Sequence, residues 1–585
     1  MVLSTIASVV CLASLIIHAG YDHSTSEILA IRRLLRGVQA VFLTNILFNL
    51  LFNLKETVRN SRPIKWIVDC LVLVTLLPWI YPHPANPWLP WLEQILYSNK
   101  FIYSILAAYS VVSLCYVLFK LIGRRTNPSL LMSGSFLVFI AIGSFLLKLP
   151  KSTYGAISYV DSLFVATSAV SITGLTPVDV SATFTPLGIL ILAVLLQIGA
   201  LGVMTFTSFF ALFFSGSASI YSQLMLKDMV YSKSMNSLLP TLLYILGFTL
   251  IIELIGAVMI FSSIHGLLGM SLADELSFSA FHAISAFCNA GFSTLPGGLG
   301  NPLVIGNMPF LWVMSAIIVS GSLGFPILVN FRDALRTRFH NLRASIRRRR
   351  GLNMIPQPRQ IHVYNMNTKI VLTTFGILLV VGAVMFFLLE YNNSLRGMTL
   401  WQKVTQSVFN SVTPRSAGFS SLNPAGFMNV TVVMLLFLMW VGGASQSTGG
   451  GVKVNTLAAI WLNLKAILKG TPRVTAFRRT IAVGSIRRAN AVVALSILSY
   501  LAVSITLLLL EPGLPTKALL FEACSALFTV GSSLGVTSQL SGASEILLCV
   551  AMFVGRVGLL SLLSGFARQD RGLGVSYPSD NIIIT

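Results

Sequence analysis

The sequence runs to 585 residues, of which 55% are hydrophobic and only 10% charged, against about 25% charged in soluble domains. With a mean hydropathy of +0.82, this excludes a cytosolic enzyme, a disordered chain and a secreted disulfide scaffold. The 40 Lys+Arg against 18 Asp+Glu, net +22, belong in a membrane chain to cytoplasmic loops and not to nucleic acid, for which no binding module is visible.

Apolar stretches recur in chain order near 1–19, 38–54, 66–82, 101–122, 131–149, 184–214, 238–262, 306–330, 369–390, 428–460, 489–510 and 543–565. Most approach the ~20 residues that span a bilayer as a helix. The first lacks a charged leader and a cleavage site, and reads as a retained helix. Shorter half-apolar stretches at 158–170, 275–287, 399–412 and 515–527 cannot span and read as re-entrant or buried helices. The six cysteines form no CxxC pair, so neither a disulfide framework nor a zinc site is expected.

Basic segments set the orientation. Segment 331–368 carries nine arginines from Arg332 to Arg359, and 461–488 carries Lys465, Lys469, Arg473, Arg478, Arg479, Arg487 and Arg488 with no acid. Together with Lys55, Arg59, Arg62, Lys65, Lys120, Arg124, Arg125, Arg568 and Arg571, they place one face and both termini in the cytoplasm. Arg32, Arg33 and Arg36 then fall on the opposite side, a misfit that leaves the number of early helices open.

The order span, short helix, loop, span occurs four times. Ser168-Ala169-Val170-Ser171-Ile172-Thr173-Gly174 matches Ser285-Ala286-Phe287-Cys288-Asn289-Ala290-Gly291 and Ser525-Ala526-Leu527-Phe528-Thr529-Val530-Gly531. The third copy, Val412-Thr413-Pro414-Arg415-Ser416-Ala417-Gly418, lacks the Ser-Ala start. A second glycine cluster follows each: Gly199/Gly202, Gly321/Gly324, Gly442/Gly443 and Gly555/Gly558, read as close helix packing. Irregular backbone at membrane depth is tolerated only where it is buried in protein or lines a wet cavity. Four such loops around one axis meet that condition, and a ring of carbonyls can replace the hydration shell of a potassium ion.

These loops resemble the Trk/Ktr/HKT superfamily of potassium transport proteins over roughly residues 130–570. The likeness rests on the loop motifs Ile172-Thr173-Gly174-Leu175, Asn289-Ala290-Gly291-Phe292, Arg415-Ser416-Ala417-Gly418-Phe419 and Thr529-Val530-Gly531-Ser532. It rests further on the run Gly442-Gly443-Ala444-Ser445-Gln446-Ser447-Thr448-Gly449-Gly450-Gly451-Val452-Lys453 and on Phe553-Val554-Gly555-Arg556-Val557-Gly558. The resemblance implies an all-α polytopic membrane fold. It would have four membrane-pore-membrane repeats around a pseudo-four-fold axis, one pore per subunit of a homodimer, and a filter at the four glycines. A serine at the first filter position accompanies sodium transport in some plant members, so Gly174 favours potassium. The expected organisation is 1–124, extra transmembrane helices, about four; 125–235, 236–368, 369–488 and 489–585, the repeats.

Glycine costs about 1 kcal/mol against alanine in a helix, so span 428–460 is expected to break around 442–453, below the third loop. The resemblance makes that loop a gate. It has no Gly-Lys-Ser/Thr and no preceding strand, so it is not a phosphate loop. Arg556, a charge inside an apolar span, should face the interior; it either bonds the loop carbonyls and repels cations or packs near the cytoplasmic end. Lys453 ends the loop and reads as interfacial. Arg415 is expected to brace the filter against Asp161 or Glu522. Glu253 is a lone acid in its span, either a cation-attracting group or a satisfied buried carboxyl.

The expected function is potassium uptake, with no cofactor in this chain, no enzymatic role and location in the cell inner or plasma membrane. Membrane lipid is expected around the spans. No GxGxxG follows a strand here, so the nucleotide-binding regulatory ring that the resemblance implies would be a separate cytoplasmic protein. Symport with sodium or protons is the alternative, with Glu253 as its candidate relay. Residues 50–79 faintly resemble part of a voltage-sensor module, but 101–122 lacks the arginine ladder a sensor needs, so no voltage sensing is expected.

Overall fold

The computed structural model describes residues 2–52, 63–80, 94–122, 128–202, 238–349 and 364–566. Lys55, Arg59, Arg62, Arg124, Arg125, Arg350, Arg359, Arg568 and Arg571 lie outside the described residues. Five helices among the described residues are long and apolar enough to cross a membrane, and a bent pair makes a sixth. A two-stranded hairpin, β1 (Thr475–Ala476) and β2 (Arg479–Thr480), departs from an all-α reading.

The amino-terminal part holds α1 (Val2–Gly20), α2 (Thr25–Phe52), α3 (Pro63–Val74) and α4 (Asn99–Ile122), packed around Phe42, Leu35 and Leu106. Helix α2 begins well before the apolar stretch that predicts it. Ser24 and Glu27 form a reciprocal cap, with the Ser24 N–H donating to Glu27 Oε2 at 2.9 Å and the Glu27 N–H to Ser24 Oγ at 3.4 Å, a strong helix start. Arg32, Arg33 and Arg36 are therefore helical residues of α2 rather than loop residues. Ile31, Leu35, Val38 and Phe42 of the same helix are buried.

Four helix–loop–helix units follow. The long first helices are α5 (Pro128–Leu147), α8 (Leu238–Ile264), α12 (Met366–Glu390) and α16 (Val483–Leu510). The short ones are α6 (Tyr159–Ser171), α9 (Leu272–Cys288), α13 (Leu400–Val412) and α17 (Thr516–Leu527). At 1.5 Å per residue, none of the short helices crosses the ~30 Å hydrocarbon core. Their starts are written in the sequence: the Ser158, Ser271 and Thr399 side chains accept from the N–H of Asp161, Asp274 and Gln402, while Pro515 precedes α17.

Each short helix packs against the long helix before it. Glycines on the long helices make room for both neighbours: a Cβ at Gly382 would strike Ser411 of the short helix, while at Gly143 and Gly256 it would strike Leu195 and Ile317 of the final helices, close small-residue packing of the kind apolar helices use. The final helices of the units are α7 (Pro186–Leu201), the bent pair α10 (Met308–Ser322) and α11 (Phe325–Arg349), α14 (Asn429–Trp440) with α15 (Val454–Leu468), and α18 (Gly542–Val557) with α19 (Leu559–Phe566). Helix α7 packs on α6 and α9, α10 on α9 and α13, and α18 on α17 and back on α6, which closes the circle.

Two expectations change. The stretch 306–330 is not one span: it bends by 102° between α10 and α11, because Gly324 adopts a left-handed φ of 83°. The arginines from 332 to 349 continue α11 as a helix rather than forming a loop, since Arg and Leu are good helix formers. Likewise Lys465 lies on α15 and Arg487 and Arg488 on α16, leaving only the hairpin segment between them. The second glycine cluster also ends helices as well as packing them, with Gly202 and Gly558 at φ 76° and 85° capping α7 and α18.

Candidate functional site

The four loops share one backbone form. Ile172, Asn289, Ser416 and Thr529 lie at φ 58°, 59°, 71° and 51°, and the glycines two residues on, Gly174, Gly291, Gly418 and Gly531, at 94°, 70°, 71° and 96°. The left-handed region is unfavourable for β-branched Ile172 and Thr529 and easy for glycine. The residues between, Thr173, Ala290, Ala417 and Val530, are fully buried. In the first, second and fourth loops their N–H groups bond back to the short helices, to Ser168 O, Ser285 O and Ser525 O at 2.8 Å, and in the third the Ala417 N–H bonds to Thr413 O, just past its helix, at 3.0 Å.

The loops meet in a closed ring. A side chain at Gly174 would strike the Ala290 carbonyl, one at Gly291 the Ala417 carbonyl, one at Gly418 the Val530 carbonyl, and one at Gly531 the Thr173 carbonyl. Each glycine thus touches the next loop in order, and the fourth touches the first. The carboxyl ends of four short helices converge on this ring, and a helix carboxyl end carries a partial negative charge equivalent to about −0.5.

Side chains behind the ring hold it. The Gly174 and Gly531 N–H groups donate to the hydroxyls of Ser168 and Ser525 at 2.9 and 3.0 Å, while the Ser285 hydroxyl donates to Phe292 O at 2.8 Å. These serines recur six residues before the loop glycine in the first, second and fourth copies, and that recurrence is the signal by which sequence reasoning reaches them.

Below the ring, residues 441–453 interrupt α14 and α15. The Gly442 N–H donates to Val452 O, and the Val452 N–H to Trp440 O, both at 3.0 Å, so the segment leaves and re-enters through a short parallel bridge. It docks on the bend between α10 and α11: Ala444 N–H donates to Ser322 O at 2.9 Å and Phe325 N–H to Gln446 O at 3.2 Å. Ser445 and Gln446 carbonyls crowd Gly324. Ser447 Oγ is buried with no partner among the described residues.

Arg556 on α18 donates to Thr448 O and to Gly199 O, both at 2.5 Å, joining the segment to α7. Lys453 is turned inward rather than interfacial, its Nζ donating to Gly449 O at 2.5 Å and Gly450 O at 3.4 Å. Asn289 and the Thr448 hydroxyl hydrogen-bond at 2.9 Å, and Thr448 Oγ1 donates to Phe287 O at 3.1 Å.

Arg415 meets neither Asp161 nor Glu522. It is fully buried beneath α12, where Nη1 donates to Phe375 O at 3.1 Å and the guanidinium lies 4.5 Å from the Phe375 ring; it is directed to α12 rather than across to α17. Glu522 instead accepts from the Ser533 and Thr537 hydroxyls. Glu253 is met by Gln197 of α7, whose Nε2 lies 2.6 Å from both carboxylate oxygens. The partner of a buried acid on another helix had no sequence signal.

A polytopic helical chain whose short helices converge on a ring of backbone carbonyls defines a membrane transport protein. The family model described as the cation transport protein TrkH matches residues 99–572, and the chain belongs to that family. The match includes α4, upstream of where the loop motifs begin the resemblance. Ktr system potassium uptake protein B of Bacillus subtilis is 32% identical over 461 residues, covering 78% of this chain and 97% of that protein. Potassium/sodium uptake protein NtpJ of Enterococcus hirae is 30% identical over 476 residues, covering 80% and 99%. The crystal structure of the potassium transporter TrkH from Vibrio parahaemolyticus has the same fold, with a TM-score of 0.57 at 17% identity over 86% of this chain and 99% of that one.

Proposed function

We propose that the protein takes up potassium across the cell membrane through the ring at residues 172–174, 289–291, 416–418 and 529–531. The closed ring of four glycines, each against its neighbour's carbonyl, carries this reading. Carbonyls there replace the water lost by a potassium ion, and the helix carboxyl ends favour a cation. In this reading the four units are membrane-pore-membrane repeats about a pseudo-four-fold axis, with about four further helices before them. Gly174 in the first loop supports potassium over sodium. The names of the relatives, a potassium uptake protein and a potassium/sodium uptake protein, support potassium as a transported ion.

Residues 442–453 act as the gate. Arg556, holding Thr448 O from one side, keeps the segment and a positive charge under the ring; Lys453 ties the segment's end through the Gly449 and Gly450 carbonyls. A separate cytoplasmic nucleotide-binding subunit acts on the basic face, and the subunit works as a homodimer in the inner or plasma membrane with both termini in the cytoplasm. Glu253 is held by Gln197 of α7, which supports a structural role for this carboxyl.

The test is rubidium-86 uptake into liposomes holding the purified protein. Uptake driven by a potassium gradient alone, competed by external potassium and not by equal sodium, is expected. A strict need for a sodium or proton gradient overturns the channel-like reading.

A further inference from the structure

The segment beneath the ring is bonded to the ring itself, and one hydroxyl carries the connection. Ser416 Oγ accepts the Gly450 N–H at 2.7 Å and donates its own proton to Thr529 O at 2.7 Å. Ser416 is the first residue of the third loop, Thr529 the first of the fourth, and Gly450 lies in the segment below. A hydroxyl has one proton to give, and here it goes to the neighbouring loop while a lone pair receives the N–H from below. Gly450 also presses on the Thr529 side chain, leaving no room for a Cβ.

The consequence follows from the backbone at Thr529. A β-branched residue at φ 51° is strained, and such strain persists only where the surroundings over-determine it. Thr529 Oγ1 has no partner among the described residues; the Thr529, Val530 and Gly531 N–H groups bond back to Ala526 O, Ser525 O and Ser525 Oγ, and the Ser416 hydroxyl is the side-chain donor on the Thr529 carbonyl. If the segment moves away, the Gly450 N–H leaves, the hydroxyl is free to rotate, and the Thr529 carbonyl loses its donor. A parallel tie runs from Thr448 to Asn289, the first residue of the second loop.

We infer that the Ser416 hydroxyl is a positioning residue that couples the state of the 442–453 segment to the ion discrimination of the ring, so that displacing the segment loosens the third and fourth loops. This rests on the proposed reading of ring and gate.

A double-mutant cycle tests it, because coupling is the part of an effect that single variants do not add up to. Rubidium-86 uptake into liposomes is measured with competing potassium or sodium for the wild type, Ser416→Ala, Arg556→Ala and the double variant. Ser416→Ala is expected to cut the preference for potassium over sodium about tenfold, as loss of one hydrogen bond of about 1.4 kcal/mol would. Arg556→Ala is expected to lower the preference in the wild-type background and to leave it unchanged in the Ser416→Ala background, while raising flux in both. Ser416→Thr, which keeps the hydroxyl but adds a β-branch at φ 71°, is expected to recover part of the preference that Ser416→Ala loses. Thr448→Val, which removes the other tie, provides an independent arm and is expected to lower the preference.

Equal shifts on Arg556→Ala in both backgrounds, or wild-type preference in Ser416→Ala, overturn the coupling through Ser416 while leaving potassium uptake standing. Loss of all potassium-competed flux in the wild type overturns the underlying reading and the coupling together.

Discussion

His282 and Glu522 hold the same station in two different units. Each stands nine residues before its loop glycine, Gly291 or Gly531, and each hydrogen-bonds the serine two residues beyond that glycine. His282 Nε2 lies 3.0 Å from Ser293 Oγ, and Glu522 Oε1 accepts from the Ser533 hydroxyl and, at 2.7 Å, from Thr537. Val165 and Phe409 occupy that station in the other two units, so polar bracing alternates with apolar packing around the ring.

Glu522→Leu is therefore expected to free two hydroxyls behind the fourth loop. At about 1 kcal/mol per hydrogen bond, discrimination between potassium and sodium in competed rubidium uptake falls about tenfold or more. Glu522→Gln keeps an acceptor oxygen and stays near the wild type. Wild-type discrimination in Glu522→Leu would remove the residue from the filter support.

Arg556→Ala removes two hydrogen bonds from a charged donor, each worth about 1.5–3 kcal/mol, between α18, the 442–453 segment and α7. Rubidium flux in liposomes without any cytoplasmic partner is expected to rise at least tenfold. Arg556→Lys, which loses the planar fork that reaches both carbonyls, is expected to fall between the two. A flux lower than that of the wild type would mean the arginine serves conduction and not closure.

Gly531→Ala meets two obstacles at once, a φ of 96° and the Thr173 carbonyl. Left-handed backbone alone costs about 1–2 kcal/mol for a residue with a Cβ. Transport is expected to fall below a tenth of the wild type while the protein remains extractable and monodisperse. Gly247→Ala, in α8 with nothing near its Cβ position, serves as the control and is expected to gain slightly in thermal stability, by up to about 1 kcal/mol.

Glu253→Gln and Gln197→Ala separate the two transport modes. If the Gln197–Glu253 contact is structural, Glu253→Gln keeps rubidium uptake driven by potassium alone, and Gln197→Ala lowers the melting temperature. A change in the dependence on a sodium or proton gradient in Glu253→Gln would instead establish it as a relay.

Much of the arrangement was legible because it is local. The short helices are written in Ser158, Ser271 and Thr399 and in their lengths, and the break at 442–453 in its glycines. The start of α2 was missed because Arg32, Arg33 and Arg36 dilute its hydropathy, although the Ser24–Glu27 cap was present. The bend at Gly324 was missed because the Gly321/Gly324 pair in an apolar run reads equally well as a packing site. Contacts between distant segments had no periodic trace: nothing near Arg415 points to Phe375, and nothing near Ser416 points to Gly450.

A ring drawn from a single chain differs from one assembled from four identical chains in how mutation reaches it. In an assembly of identical chains, one codon changes all four walls at once. Here Ile172, Asn289, Ser416 and Thr529 open the four loops with four different side chains, and a substitution alters one wall while three stay fixed. On the proposed reading of the ring, evolution can therefore adjust ionic preference in quarter steps, and one loop is free to specialise in answering the segment beneath while the other three keep the aperture.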